Sequence, residues 1–244
     1  MKSFIKSIIA LTPYRVLRGP SNRFQAFAEG FDLLRKMAYR PGVIIDGGAH
    51  MGDFARQAKA AFPEAAIHLI EPQRACRDAL ERLAATGGFV LHPYALVTPE
   101  ERANRFIRLA AGDTPSTGAH ILPAGDEGHS EQAETATLDE LFAEEIRVEQ
   151  RVLLKLDLQG YELMALRGAA VVLRAIEVVL VEVSFFAQAY EPPIPALMRF
   201  LDDKGFELFD IASLSGRTRD NRLRQGDFIF VRRGSVLLAD GRWE

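Results

Sequence analysis

VIIDGGAHMGD, residues 43–53, sets three apolar residues against an acid and follows them with Gly47, Gly48, Ala49 and Gly52. An apolar run of this length reads as a buried strand, and the bare glycine segment as a tight turn into a helix. Glycines let backbone come close to a ligand, and the helix start behind them offers unpaired N–H groups. In an open parallel sheet, ligands bind outside the carboxyl ends of the strands, which is where this turn falls. Two phosphate-binding patterns fail here. The Walker pattern GxxxxGK[ST] is absent, and the dinucleotide pattern GxGxxG needs glycine where Ala49 stands.

From residue 41 onward, strands and helices alternate. AIHLIE (66–71) reads as a second buried strand, and FVLHPYAL (89–96) as a third. Between them Cys76, Ala79, Leu80 and Leu83 form one helical stripe, ended by Gly87 and Gly88. NRFIRL (104–109) alternates like a half-exposed strand, and residues 111–133 read as a long surface loop. ETATLDELF (134–142) offers a short strand and a helix start at Thr137. RVLLKLD (151–157) and EVVLVEVS (177–184) are further strands ending at acids, with a helix over 160–174 between them. PALMRFLDDKG (195–205) predicts a helix stopped by glycine, and FELFDI (206–211) and GDFIFVRR (226–233) an antiparallel edge hairpin. The class is α/β: a mostly parallel, seven-stranded sheet, helices on both faces, an antiparallel edge strand.

The 244 residues are 48% hydrophobic and 26% charged, ordinary for a soluble globular chain. A net charge of −3 excludes an overall basic field for nucleic acid. Residues 1–40 nevertheless hold eight Lys/Arg against Glu29 and Asp32, an excess of six, which leaves −9 on the remainder. Such an arm suits either peripheral contact with an anionic membrane or a solvated helical face. Cys76 is the single cysteine, which excludes an internal disulfide framework or cysteine-based zinc site and fits a cytoplasmic location. No stretch approaches a spanning helix. The organisation expected is a basic helical extension over 1–40, one Rossmann-like domain over 41–234 and a tail over 235–244. Oligomeric state is not legible.

The turn fits best as acid-x-Gly-x-(Gly/Asn)-x-Gly, the loop that cradles S-adenosylmethionine in Rossmann-like methyltransferases. An acid there suits a cofactor with a positive amino group and sulfonium better than a pyrophosphate. Glu71, ending the second strand, suits both ribose hydroxyls. Together VIIDGGAHMGDF, IEP (70–72), TLDEL (137–141), LLKLDLQGYELMALRGA (153–169) and LVEVS (180–184) resemble the FkbM family of S-adenosylmethionine-dependent methyltransferases. The resemblance spans residues 41–233 and implies methyl transfer to a hydroxyl of a sugar, glycolipid or natural product. His50 and Gln159 depart from it, standing where the family usually has asparagine and an acid.

Asp46, Gly48, Ala49, Gly52, Glu71, Pro72 and Asp157 are the expected cofactor-side residues. Methyl transfer from a sulfonium is an in-line displacement, so an acceptor hydroxyl needs alignment and a proton acceptor. Asp157 and Glu182 end adjacent strands, where two carboxylates suit either the acceptor or Mg²⁺. The competing assignment is a helix cap for Asp157 and an ion pair for Glu182. His120, in DTPSTGAHI, is the candidate base, its rival a solvated loop histidine. Glu162 suits either the site or its helix dipole. Lys155 shares a sheet face with Asp157 and points to a structural ion pair. Arg217, Arg219, Arg222 and Arg224 suit an anionic substrate group or a solvated turn. Tyr190, Pro192, Pro193 and Pro195 mark a stiff loop near an acceptor pocket. Two other functions stay open: a non-catalytic cofactor-binding module and an NAD-dependent dehydrogenase.

Overall fold

The computed structural model describes residues 23–123, 125–126, 128–186 and 194–241. At its centre lies β1 (Val43–Gly47), every residue of which is buried. Successive side chains of a strand point to opposite faces, so Ile44 and Ile45 enter two different cores. With both faces covered, the strand has no polar side to alternate with, and the run is continuously apolar. β1 pairs in parallel with β2 (Ala66–Ile70) and with β8 (Val152–Leu156). β3 (Phe89–His92) extends the sheet beyond β2, and β9 (Ile176–Ser184) beyond β8, both parallel. β11 (Leu223–Arg232) inserts antiparallel between β9 and the edge strand β10 (Phe206–Arg217). The order is β10-β11-β9-β8-β1-β2-β3, the expected seven-stranded sheet with its antiparallel edge.

Helices cover both faces. On one lie α1 (Arg23–Lys36), α2 (Asp53–Ala61) and α3 (Arg77–Ala84), packing Phe27, Phe31, Phe54 and Leu80 onto Ile44, Leu69, Leu153 and Ile229. Phe31 meets Phe54 and Phe62 edge-on, ring centroids 5.5 Å apart in each case. On the other lie α4 (Leu138–Phe142), α5 (Glu162–Arg167) and α6 (Ile194–Asp203), whose Phe142, Leu166 and Leu201 pack onto Ile45, Leu154 and Val179. α4 starts where expected: Thr137 accepts from Glu140 N and the Glu140 side chain accepts from Thr137 N, a capping box. α1 contributes three buried side chains to the core on its face of the sheet, and Leu237 of the tail adds another. The basic residues of 1–22 lie outside the described residues.

Three elements differ from expectation. FVLHPYAL is two strands, because Pro93 removes a ladder donor: β3 stays in the large sheet, while β4 (Ala95–Leu96) joins a second one. That sheet has the order β4-β7-β5-β6, with β5 (Phe106–Ala110), β6 (His120–Ile121) and β7 (Glu131–Ala136). Residues 111–133 are therefore not all loop. β6 is too short for periodicity, and β7 begins three residues before the short strand expected from Glu134, at Glu131 and Gln132, which are half-exposed and exposed. Finally, the helix expected over 160–174 ends at Arg167. A Cβ on Gly168 would lie 2.6 Å from the Val97 carbonyl, so glycine lets the small sheet approach the chain there. Because β1, β2, β8 and β9 are parallel, Gly48, Glu71, Asp157 and Glu182 all fall at one edge of the sheet.

Candidate active site

The glycine turn is held from below. Gly48 N and Ala49 N both donate to the Ile70 carbonyl, at 2.9 and 3.1 Å. Gly48 has φ +74°, and a Cβ there would collide with the Asp157 carbonyl oxygen. Lys155 reaches under the turn, its Nζ donating to Asp46 Oδ1 at 2.9 Å, Gly47 O at 3.1 Å and Gly48 O at 2.8 Å. The ion pair expected of Lys155 is thus with Asp46. That carboxylate is fully buried, and its Oδ2 has no hydrogen-bond partner among the described residues. Burial pushes the Asp46 carboxyl up and Lys155 pulls it back. Asp46 lies beneath the loop rather than on the cavity wall. Gly52 likewise does not line the cavity; it has φ +80°, and a Cβ there would come 2.6 Å from Leu83 Cδ2 on α3.

Above the turn opens a cavity of about 300 Å³, within the range of small-molecule sites. Gly48, Ala49, His50, Glu71, Pro72 and Asp157 line one part of it. Glu71 is 4% exposed; its Oε2 accepts from His50 N at 2.7 Å and its Oε1 from Gln73 N at 3.0 Å. Burial raises its carboxyl, and these backbone N–H groups oppose that. The carboxylate is oriented before any ligand arrives. His50 has φ +48°, and its Nε2 is buried on the cavity wall with no hydrogen-bond partner among the described residues. A cradle of glycine backbone, a fixed carboxylate and a buried ring nitrogen fits the polar atoms of a nucleoside with an amino-acid arm.

The cavity continues past Asp157 to Glu182, Gln225, Tyr161 and His120. Asp157, Glu162 and Glu182 each bring a carboxylate oxygen within 4.8 Å of the others. Glu162 is the inner member: its Oε1 accepts from Leu158 N at 2.5 Å and its Oε2 from Gly160 N at 3.1 Å. Burial pushes its carboxyl up to about 7 against those donors. Gln159 Nε2 lies between the other two, 2.9 Å from Asp157 Oδ1 and 3.1 Å from Glu182 Oε2. Gln225 Nε2 donates to Glu182 Oε1 at 2.6 Å. Mg²⁺ requires oxygen ligands at about 2.0–2.1 Å. The space between Asp157 and Glu182 instead presents an N–H₂ group, so this donor set does not fit the ion.

His120 stands on β6, and its Nδ1 is 2.9 Å from the Gly118 carbonyl. A carbonyl only accepts, so Nδ1 carries the hydrogen and Nε2 the lone pair when the ring is neutral. Gln73 fastens this strand's approach to the site: its Nε2 donates to Ser116 O at 3.1 Å, and its Oε1 accepts from Ser116 N at 3.0 Å. Gln73 and Gln225 escape sequence reasoning, since an isolated glutamine carries no motif. The nearest signal for Gln73 is its place just past Glu71 in IEPQ.

Other candidates lie elsewhere. His68 Nδ1 and His92 Nε2 are 3.0 Å apart in a stacked pair against Phe142, away from the cavity. Burial holds His92 down to about 4. The four arginines occupy the β10–β11 hairpin outside the cavity; Arg217 donates to Asn221 O at 2.7 Å and Arg222 covers the Phe186 ring at 3.7 Å. Tyr190, Pro192 and Pro193 lie outside the described residues, while Pro195 is in the first turn of α6. Among the described residues no helix is long and apolar enough to cross a membrane.

Residues 46–208 match the family described as "Methyltransferase FkbM domain". A search of curated proteins finds no match. Among solved structures, an FkbM methyltransferase from Methylobacillus flagellatus is similar at 18% identity and TM-score 0.46, covering 77% of this chain and 43% of its own. A precorrin-6y C5,15-methyltransferase from Geobacter metallireducens aligns at 14% identity and TM-score 0.45, over 91% and 94%. A putative tRNA (m1A22) methyltransferase from Streptococcus pneumoniae, in complex with S-adenosyl-L-methionine, aligns at 10% identity and TM-score 0.44, over 88% and 73%. With the matched span covering most of the chain and the glycine turn at its head, the chain belongs to the FkbM family of S-adenosylmethionine-dependent methyltransferases.

Proposed function

We propose that the chain transfers a methyl group to a hydroxyl of a small polar acceptor, a sugar, glycolipid or natural product. One observation carries this reading: His120, Asp157 and Glu182, all proton acceptors, line the same cavity as the glycine turn and Glu71. A hydroxyl must lose its proton as it is methylated, so it needs such a group within reach. When bound, S-adenosylmethionine supplies an activated methyl group on a sulfonium whose departure as a thioether needs no acid.

The chain's own residues then have separable tasks. Glu71 accepts from the ribose hydroxyls, and the backbone of Gly48 and Ala49 lies against the amino-acid arm. Asp157, at the junction of the two parts of the cavity, faces both cofactor and acceptor. Glu182 and Gln225 orient the acceptor, and His120 Nε2 takes its proton. Orientation of this kind is worth about 7–11 kcal/mol of barrier, and a placed base roughly 10²–10⁴-fold. No step is routed through a metal. A non-catalytic module has no use for three proton acceptors beside its ligand, and a dehydrogenase does not share the family.

The experiment is an incubation of the purified chain with S-adenosylmethionine carrying a ¹³C-methyl group and a panel of sugars, glycolipids and phenols. A methyl carbon resonating as an ether supports the reading, and one attached to nitrogen or carbon rejects it. Binding of S-adenosylhomocysteine but not NAD, by calorimetry, is the accompanying expectation.

A further inference from the structure

The turn after β8 contains a device that the acid pair alone does not explain. Gln159 has φ +52° and Gly160 φ +104°, an unusual pair of left-handed residues, and the buried Glu162 carboxylate holds them there through Leu158 N and Gly160 N. The effect is to aim one side-chain amide nitrogen at two carboxylates at once, Asp157 Oδ1 at 2.9 Å and Glu182 Oε2 at 3.1 Å. An amide nitrogen has two hydrogens, enough for one hydrogen bond to each acceptor. Gln225 restrains Glu182 from its other oxygen, at 2.6 Å. Two strand-end carboxylates held this close would otherwise repel, and a common remedy in proteins is a divalent cation between them. Here a neutral side chain occupies that place.

We propose that Gln159 is a positioning residue whose amide bridges Asp157 and Glu182 in place of a metal ion, so that the acceptor is presented to a cation-independent site. This rests on reading the cavity as the methyl-transfer site. The bridge costs no ion and keeps both carboxylates as acceptors on the cavity wall. It also makes cation affinity a one-residue property. Glutamate at 159 adds a further carboxylate beside Asp157 and Glu182 and removes the N–H₂ group, and the number of charged oxygens sets the affinity of such sites.

Manganese is the probe, because binding quenches the solution paramagnetic resonance signal of the free ion. The wild-type chain is expected to leave that signal unchanged through the submillimolar range. Gln159→Glu is expected to take up one ion per chain at least tenfold more tightly, and the double variant Q159E/E182Q to lose most of that gain. Stoichiometric uptake by the wild type would overturn the proposal, since it would mean the amide turns its Oε1 inward as a ligand. Equal affinity in wild type and Gln159→Glu would overturn it as well. The wild-type arm stands even if the variant fails to fold. Calorimetry with S-adenosylhomocysteine runs beside it: failure to bind would strike the cavity reading, whereas the manganese result bears on the bridge alone.

Discussion

Replacing Lys155 with methionine tests how the glycine turn is supported. Methionine has similar length and keeps the stem's packing, but it removes the ammonium from Asp46 Oδ1 and from the carbonyls of Gly47 and Gly48. Asp46 is then a fully buried carboxylate with no counter-charge. Removing one member of a buried pair costs about 3–5 kcal/mol, against a total stability of roughly 5–15 kcal/mol. For a chain of this size that is a fall in Tm of roughly 6–20 °C. The sign of the pH dependence follows from the charge left behind. Burial already raises the Asp46 carboxyl, and without Lys155 nothing opposes it. A carboxyl raised in the native state contributes fully below its unfolded value and loses that contribution as pH rises through the folded value. The deficit of Lys155→Met is therefore larger at pH 8 than at pH 5. Adding Asp46→Asn removes the stranded charge, so the double variant is expected to recover part of the loss. Denaturant unfolding at both pH values measures all three. A single variant within ~1 kcal/mol of wild type, or a double variant less stable than the single, would refute the account.

Glu71→Ala removes a carboxylate that accepts from His50 N and Gln73 N. Charged hydrogen bonds are worth about 1.5–3 kcal/mol, so S-adenosylhomocysteine affinity should fall roughly 10–100-fold by calorimetry; unchanged affinity would remove Glu71 from the site. Glu162, raised from an ordinary 4.5 to about 7, stabilises the fold below about pH 4.5 and loses that contribution as pH rises through about 7. The loss is on the order of 3 kcal/mol; Glu162→Gln should flatten this slope in unfolding measured between pH 4.5 and 8, and an identical slope contradicts the assignment. Gln73→Ala deletes both hydrogen bonds to Ser116. At about 1 kcal/mol each, local opening should increase roughly 30-fold, read as faster amide exchange at Ser116; unaltered exchange would mean the segment is held by other contacts.

The parts of the fold legible in the sequence are those whose physics is local. VII (43–45), VLL (152–154) and VVLV (178–181) are unbroken apolar runs because β1, β8 and β9 are covered on both faces. The Thr137 cap was readable because its partner Glu140 is three residues away. Of the small sheet, β5 and the end of β7 are legible as the strands read in NRFIRL and ETAT, but their assembly into a separate sheet is not. Its two-residue strands β4 and β6 hold no period, and its membership depends on pairings such as Leu109 with Ile121 that only the folded chain brings together. At the end of α5 the Gly168 carbonyl accepts from Asp139 N, 29 positions earlier, and the Val97 carbonyl leaves no room for a Cβ, neither of which the local sequence shows. Tertiary proximity overrides local preference at each of these places.

The site divides along the same line, and the division explains why its acids suggest a metal when read alone. Strand-end position is a sequence property, so Glu71, Asp157 and Glu182 could be placed at one edge of the sheet from their runs. What each carboxylate bonds to is not. Asp46 looks equivalent to them in the sequence, yet Lys155 lies beneath it and turns it into a support for the glycine turn. Gln159 and Gln225 approach Glu182 from 23 and 43 positions away, and a glutamine beside two acids has no pattern to mark it. Charge counting sees only the carboxylates and calls for a cation. Hydrogen-bond accounting also sees the amides, and a buried or half-buried carboxylate whose acceptors are met by N–H groups needs no ion to remain there. The two accounts differ by one measurable quantity, the affinity of the wild-type chain for manganese.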